Sequence, residues 1–135
     1  MKAAHLLDTN VASYVIKGNV PSVDRWLAKI PVANVFISTV TEAELRHGVA
    51  RRPDATRLGI LVQDFLRTVT ILPWDSEAAK QYGLLRAALE REGRPMGNLD
   101  MMIGGHALAV GAVLVTNDRA FTRIKNLKLA DWTRA

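Results

Sequence analysis

Short apolar runs of strand length recur along this chain, and each is followed by a longer stretch with helical periodicity. The strand-like runs are residues 4–7, 35–38, 69–74 and 112–116, with a weaker one at 127–132. Residues 11–17, 22–30, 55–69 and 76–92 read as helices; in 55–69, Leu58, Leu61, Val62, Phe65 and Val69 fall on one stripe. Pro21 suits the first turn of a helix. Strands separated by helices cannot be joined by tight hairpins. They form βαβ units, which build a parallel sheet covered on both faces. The expectation is an α/β fold, a three-layer sandwich with a central, mainly parallel sheet flanked by helices.

At 135 residues the chain is expected to form a single domain over residues 1–135, with one core. Its 49% hydrophobic and 23% charged content is that of a globular protein and excludes a disordered one. The longest clean apolar run, residues 107–115, is far short of the roughly 20 residues that span a bilayer, so no membrane association is expected. Lys2 is followed by Asp8 and Asn10 before any apolar leader develops, so no signal peptide and a cytoplasmic location are expected. With no cysteine, only oxygen and imidazole ligands are open to a metal.

Asp8 closes the run ending Leu6-Leu7, and Asp118 follows the run ending Leu114-Val115 after Thr116 and Asn117. Ligands of open parallel sheets bind beyond the carboxyl ends of the strands, so strand-end acids converge there. Glu44 lies in a helical stretch just after Val35-Phe36-Ile37, and Asp100 lies one turn into a helix-like stretch behind Gly93-Arg94-Pro95-Met96-Gly97. Each has an ordinary reading as well. Asp8 can cap a helix, Asp118 sits in a turn-forming sequence, and Asp100 is favoured near a helix start by the macrodipole. Asp75, which leads into Ser76-Glu77, reads as a cap only. Caps and turns do not account for four such acids together. Clustered carboxylates repel, and a divalent cation is the usual compensation.

Glu42 and Glu44 differ in the structural work open to them. Thr39-Val40-Thr41-Glu42 fits a capping box, and Glu42 is spaced to pair with Arg46. Glu44 has neither role: its helical neighbours are Val40, His47 and Gly48, beside which a carboxylate is costly without a partner. His5, His47 and His106 form no ligand set of recognisable spacing. Gly104-Gly105 inside the Asp100 helix reads as a point of close packing. The net charge is +5, with basic residues grouped at Arg46, Arg51, Arg52 and Arg57 and again at Arg119, Arg123, Lys125, Lys128 and Arg134. A basic protein that concentrates acids in one crevice suits a polyanion with a metal at its reactive phosphate. A merely solvated basic surface would give the same count.

Four ordered segments carry a family resemblance: Leu6-Leu7-Asp8-Thr9-Asn10; Ser38-Thr39-Val40-Thr41-Glu42-Ala43-Glu44-Leu45-Arg46-His47-Gly48; Leu99-Asp100-Met101-Met102-Ile103 leading to His106-Ala107; and Leu114-Val115-Thr116-Asn117-Asp118 with Phe121 and a closing Asp131-Trp132. Together the chain resembles the PIN-domain ribonucleases of the VapC toxin type. The resemblance implies a PIN-like sandwich, a Mg²⁺ or Mn²⁺ site, endonucleolytic cleavage of RNA, a homodimer and inhibition by a cognate antitoxin. It places Asp8, Glu44, Asp100 and Asp118 in the acidic, metal-binding and catalytic positions, with Thr116 and Asn117 supporting them. Gly104-Gly105 departs from the family, which more often has alanines there. Mg²⁺ keeps several waters, so Asp8 and Asp100 are read as direct ligands and Glu44 and Asp118 as residues that orient water or hold a second ion.

Other chemistries that use strand-end aspartates fit less well. A phosphoacceptor domain would want an acidic neighbour for Asp8 and a lysine after Thr116-Asn117; an aspartyl-phosphate phosphatase would want an aspartate where Asn10 stands. A catalytically idle nucleic-acid or partner-binding module on the same fold is the alternative, and the complete acid set speaks against it. Val11, Tyr14 and Val15 with Trp26, Leu27 and Ile30 are the apolar surface expected to receive an antitoxin helix, with an arginine inserted toward Asp8 and Asp100.

Overall fold

The computed structural model describes residues 3–134; Lys2, which bears on the reading of the N-terminus, lies outside them. Its strands are β1 (His5–Leu7), β2 (Val35–Ser38), β3 (Thr70–Leu72), β4 (Val113–Val115) and β5 (Leu129–Ala130). They form one parallel sheet in the order β3-β2-β1-β4-β5. The helices are α1 (Thr9–Lys17), α2 (Pro21–Ala28), α3 (Thr39–Ala50), α4 (Thr56–Thr68), α5 (Ser76–Arg91) and α6 (Asn98–Val110). This is the expected three-layer α/β sandwich.

The register explains why both faces need covering. Leu6 pairs with Leu114 and Leu7 with Val115, and alternate residues point to opposite faces of a strand. Leu7 and Val115 therefore join a core with α1, α2 and α4 that also takes in Trp132, while Leu6 and Leu114 join one with α5, α6, Phe121 and Ile124. Helix α3 contributes to both, Leu45 to the first and Val40 to the second.

Differences from the expected boundaries have local causes. The strand expected over 69–74 shrinks to Thr70–Leu72. At one end Val69 caps the C-terminus of α4, its N–H donating to the Phe65 carbonyl, and at the other Pro73 has no N–H for the ladder. Helix α2 begins at Pro21 itself. The capping box expected at Thr39 does not form, because Ser38 takes the cap and its hydroxyl accepts the Val40 N–H at 3.1 Å. Glu42 turns instead to Arg46, at 2.8 Å. Asp75 caps α5 as expected, accepting the Ala78 N–H at 3.1 Å. Gly18 and Gly111 end α1 and α6 with φ of 62° and 66°, the left-handed conformation that favours glycine.

Strand β1 is flanked by β2 on one side and β4 on the other, so the chain order reverses beside it. That is the switch point at which doubly wound sheets open a crevice at their carboxyl edge.

Candidate active site

Asp8 is the first residue past β1, and its backbone N–H continues the ladder by donating to Val115 O at 3.0 Å. Its side chain is almost wholly buried, at 4% exposure. Oδ1 accepts the Val11 N–H at 2.9 Å, capping α1, and Oδ2 accepts the Thr116 hydroxyl at 2.5 Å. The cap reading and the site reading of Asp8 are thus both satisfied by one carboxylate, each oxygen of which has a second lone pair to spare. Thr116 is itself aimed: its Oγ1 accepts the Asp118 N–H at 3.0 Å, which leaves its proton for Asp8. The turn after β4 is thereby locked to the carboxylate after β1.

Asp118 stands exposed on that turn, and its Oδ1 accepts the Ala120 N–H at 2.9 Å, capping a 3-10 turn at Arg119–Arg123. Asn117 is exposed too, with Nδ2 donating to Tyr14 Oη at 3.4 Å. Glu44 is half-buried on α3, where Oε1 accepts the Thr9 hydroxyl at 2.6 Å. Thr9 Oγ1 also lies 3.2 Å from the hydroxyl of fully buried Thr41. With one proton to give, Thr9 donates to Glu44 over the shorter distance and accepts from Thr41. Asp100 is half-buried in the first turn of α6, where the helix N-terminus favours a negative charge.

The electrostatics join these acids into one set. Burial raises the Asp8 carboxyl above the ordinary carboxylate value, against the Thr116 and Val11 hydrogen bonds, and the charges of Asp100 and Asp118 push it the same way. Burial also raises Asp100, with Asp118 and Glu44 adding to the effect. Among the described residues the ion pairs go to Glu42, Asp64, Glu90 and Asp131 and none to these four. The result is a knot of repelling carboxylates at the carboxyl edge of the sheet, with hard oxygen donors and, among the described residues, no ion pair to any of the four.

Proximity does not make one pit. Glu44 borders a groove of about 270 Å³ shared with Thr9, Lys17, Arg51 and Arg52, and a shallower one of about 420 Å³ with Leu99 and Met102. Asp118 borders a third, of about 430 Å³, with Thr116, Asn117 and Arg119. Among the described residues no three acidic or histidine side chains close a metal shell between them.

His106 is buried, with Nδ1 2.8 Å from Ser38 Oγ, and burial lowers its pKa; its Nε2 has no partner among the described residues. His5 contacts Ala3 O and the Trp132 ring, and His47 is exposed. Thr9 lies within the first motif, whose pattern gives it no role of its own. A hydroxyl placed next to one acid and across from another is visible only once α1 and α3 pack together. Val11 corrects the expected partner surface, since it lies fully in the core. Val15, Leu27 and Ile30 instead line an apolar groove of about 140 Å³ with Val35, Phe65 and Val69.

Comparison with known proteins bears on the fold and the family. The PIN domain family model matches residues 5–127. A tRNA(fMet)-specific endonuclease VapC from Shigella flexneri is 36% identical over 129 residues, covering 95% of this chain and 97% of that protein. Ribonuclease VapC2 from Rickettsia felis is 34% identical, covering 96% of this chain and 98% of its own. Among solved structures, DNA-bound VapBC from Salmonella typhimurium superposes with a TM-score of 0.89 at 34% identity, covering 97% of this chain and 99% of that one. With its fold, the family model over residues 5–127 and its near full-length relatives in agreement, this chain belongs to the PIN-domain family, among the VapC ribonucleases.

Proposed function

We propose that this protein is the toxin of a toxin-antitoxin pair, an endoribonuclease that depends on Mg²⁺ or Mn²⁺. The observation that carries the reading is the carboxylate knot. Asp8 is buried and doubly hydrogen-bonded, yet its charge is opposed by Asp100 and Asp118, and no basic side chain among the described residues pairs with it. A fold tolerates such repulsion where the repelled charges have a use.

In this reading Asp8 and Asp100 hold the ion, and Glu44 and Asp118 act through water. When bound, the cation stabilises charge on the scissile phosphate and makes a water ligand more acidic. The chain does the rest by placement. Val11 N–H and Thr116 Oγ1 fix both oxygens of Asp8, and Thr9 fixes Glu44, so little rotamer freedom remains to be lost on binding substrate. A carboxyl held above its ordinary value is also a better proton acceptor near neutral pH than a free one. Water oxygen bonds to phosphorus, the bond to the 3′-oxygen breaks, the water proton passes to a carboxylate, and the departing 3′-oxygen takes up a proton from solvent. The products are a 5′-phosphate and a 3′-hydroxyl, with no part for the 2′-hydroxyl.

Relatives named as tRNA(fMet)-specific endonucleases make tRNA the first substrate to offer. The antitoxin is proposed to seat apolar side chains in the groove of Val15, Leu27 and Ile30 and to aim an arginine at the acids, since relatives are solved as VapBC complexes. A homodimer in the cytoplasm belongs to the same proposal; exposed Leu84, Leu99 and Val110 on α5 and α6 supply apolar surface for self-association. Among the described residues no helix is long and apolar enough to cross a membrane. The test is incubation with tRNA and Mg²⁺, followed by mapping of the product ends. Discrete cuts with 5′-phosphates are expected, and 2′,3′-cyclic phosphates would contradict attack by water.

A further inference from the structure

The groove that leaves Glu44 between α1, α3 and α4 has a property the carboxylate knot lacks. Lys17, Arg51 and Arg52 stand on its rim and are solvent-accessible, and among the described residues none has an ion-pair partner. By contrast Arg46, Arg67, Arg86 and Arg134 are each paired with an acid. Lys17 ends α1 and Arg51 caps α3, where a helix macrodipole favours a cation on its own account. That accounts for the two charges but not for their lining, with Arg52, one groove of about 270 Å³ that Glu44 also lines. Leu45, Val49 and Leu58 floor it, and no aromatic side chain lines it.

A polyanion approaching a knot of carboxylates is repelled unless nearby cations hold it. A strand of RNA whose reactive phosphate sits at the acids must leave by some path; among the described residues three unpaired cations line this groove beside Glu44, against Arg119 alone in the groove beside Asp118. Resting on the ribonuclease reading, we propose that Lys17, Arg51 and Arg52 form a phosphate-binding track for single-stranded RNA on the Glu44 side of the scissile bond. Without an aromatic platform the track grips backbone and does not stack bases, so it supplies affinity without sequence preference. An acidic peptide could match the same charges, and the salt dependence of RNA binding separates the two.

The test uses the triple variant Lys17→Gln, Arg51→Gln, Arg52→Gln and a charge-matched control, Arg25→Gln, Lys80→Gln, Arg91→Gln, none of which lines a groove at the acids. Binding of a fluorescent single-stranded RNA is followed by anisotropy in EDTA from low to moderate salt, and cleavage is followed in Mg²⁺. Each cation removed from a phosphate reduces the slope of log K against log salt by about 0.7 on single strands, so the triple variant is expected to show a slope smaller by about 2. Its KM should rise about ten-fold or more with kcat within about two-fold of wild type, while the control stays near wild type. Replacing Arg51 and Arg52 by lysine should restore the slope. Equal slopes and KM for wild type and triple variant, with wild type active, would overturn the track alone and point to a protein partner in the groove. A wild type that neither binds nor cleaves RNA would overturn the track together with the function beneath it.

Discussion

Where α5 meets α6 at Gly105 there is no room for a methyl group; between the helices of the opposite face two grooves remain. Helices α5 and α6 meet at Gly105, where an added Cβ would lie 2.9 Å from the Tyr82 backbone nitrogen and 3.1 Å from its Cα. Helices α1 to α4 cover the opposite face with an apolar groove and a cation-rimmed one between them. The closed layer holds Asp100 at the start of a rigid helix; the open layer holds Asp8 and Glu44 beside the surfaces that partners and substrate are proposed to use. Rigidity and recognition are thus divided between faces, and the acids sit where the two meet.

The largest effect expected from this division is on activity without stability, in the open layer. Glu44→Gln should lower RNA cleavage by about 10²-fold or more, the scale of a positioned acid or base, while its thermal midpoint stays near wild type. Glu42→Gln on the same helix should leave cleavage unchanged and cost a few tenths of a kcal/mol, about what an exposed i,i+4 pair contributes. Equal losses of activity would show the wrong glutamate has been placed at the site. Next comes Thr9→Val, which takes the hydroxyl from Glu44 and leaves buried Thr41 without its neighbour. Activity should fall about 10-fold, as for other groups that orient a ligand, with a loss of about 1 kcal/mol in denaturant unfolding.

The closed layer should show the reverse, stability without direct chemistry. Gly105→Ala forces helix backbones apart and should destabilise by about 1–2 kcal/mol, overpacking outweighing the gain in helix propensity. Gly104→Ala meets only the tip of Ile124, at 2.6 Å, which can rotate away; it should be near neutral. If both alanines are tolerated alike, the layer is looser than the contacts imply.

The smallest effect is in pH. Asp100 is raised in the folded state, so folding is easiest where the group is protonated in both states, below its ordinary value of 3.8, and stability is lost as pH rises through the folded value. Asp100→Asn should therefore raise the thermal midpoint at pH 7 in EDTA and lose that advantage below about pH 4. His106 acts on the other side: held neutral by burial, it lowers stability as pH falls below 6.5. An Asp100→Asn midpoint that equals wild type at neutral pH would mean the carboxylates do not repel as described.

Elements whose cause is local were legible in the sequence: the alternation of strands and helices, the Asp75 cap, the Glu42 pair with Arg46, and the close approach at Gly104-Gly105. Misreadings arose where two local signals competed, as at Ser38 and Thr39, and only packing decided which hydroxyl faced the helix start. Thr39 was left to accept the Trp74 N–H from across the sheet. Asp8 and Asp118 lie past β1 and β4 as read, because strand ends are marked by where apolar runs stop; Glu44 and Asp100 lie on helices as read. The Thr9 bond to Glu44, spanning 35 positions, and the meeting of Lys17 with Arg51 and Arg52 depend on how α1 lies against α3. No periodicity encodes that.

The central claim is that the carboxylates at this edge of the sheet are a metal-dependent reactive centre. Its most direct test is single-turnover cleavage of tRNA by wild type and by Asp100→Asn, prepared identically and free of partner, in Mg²⁺ and in EDTA. Cleavage by wild type in Mg²⁺ alone, abolished in EDTA and reduced by about 10²-fold or more in the variant, is the predicted result. Equal cleavage by the two proteins, or cleavage that persists in EDTA, would contradict it.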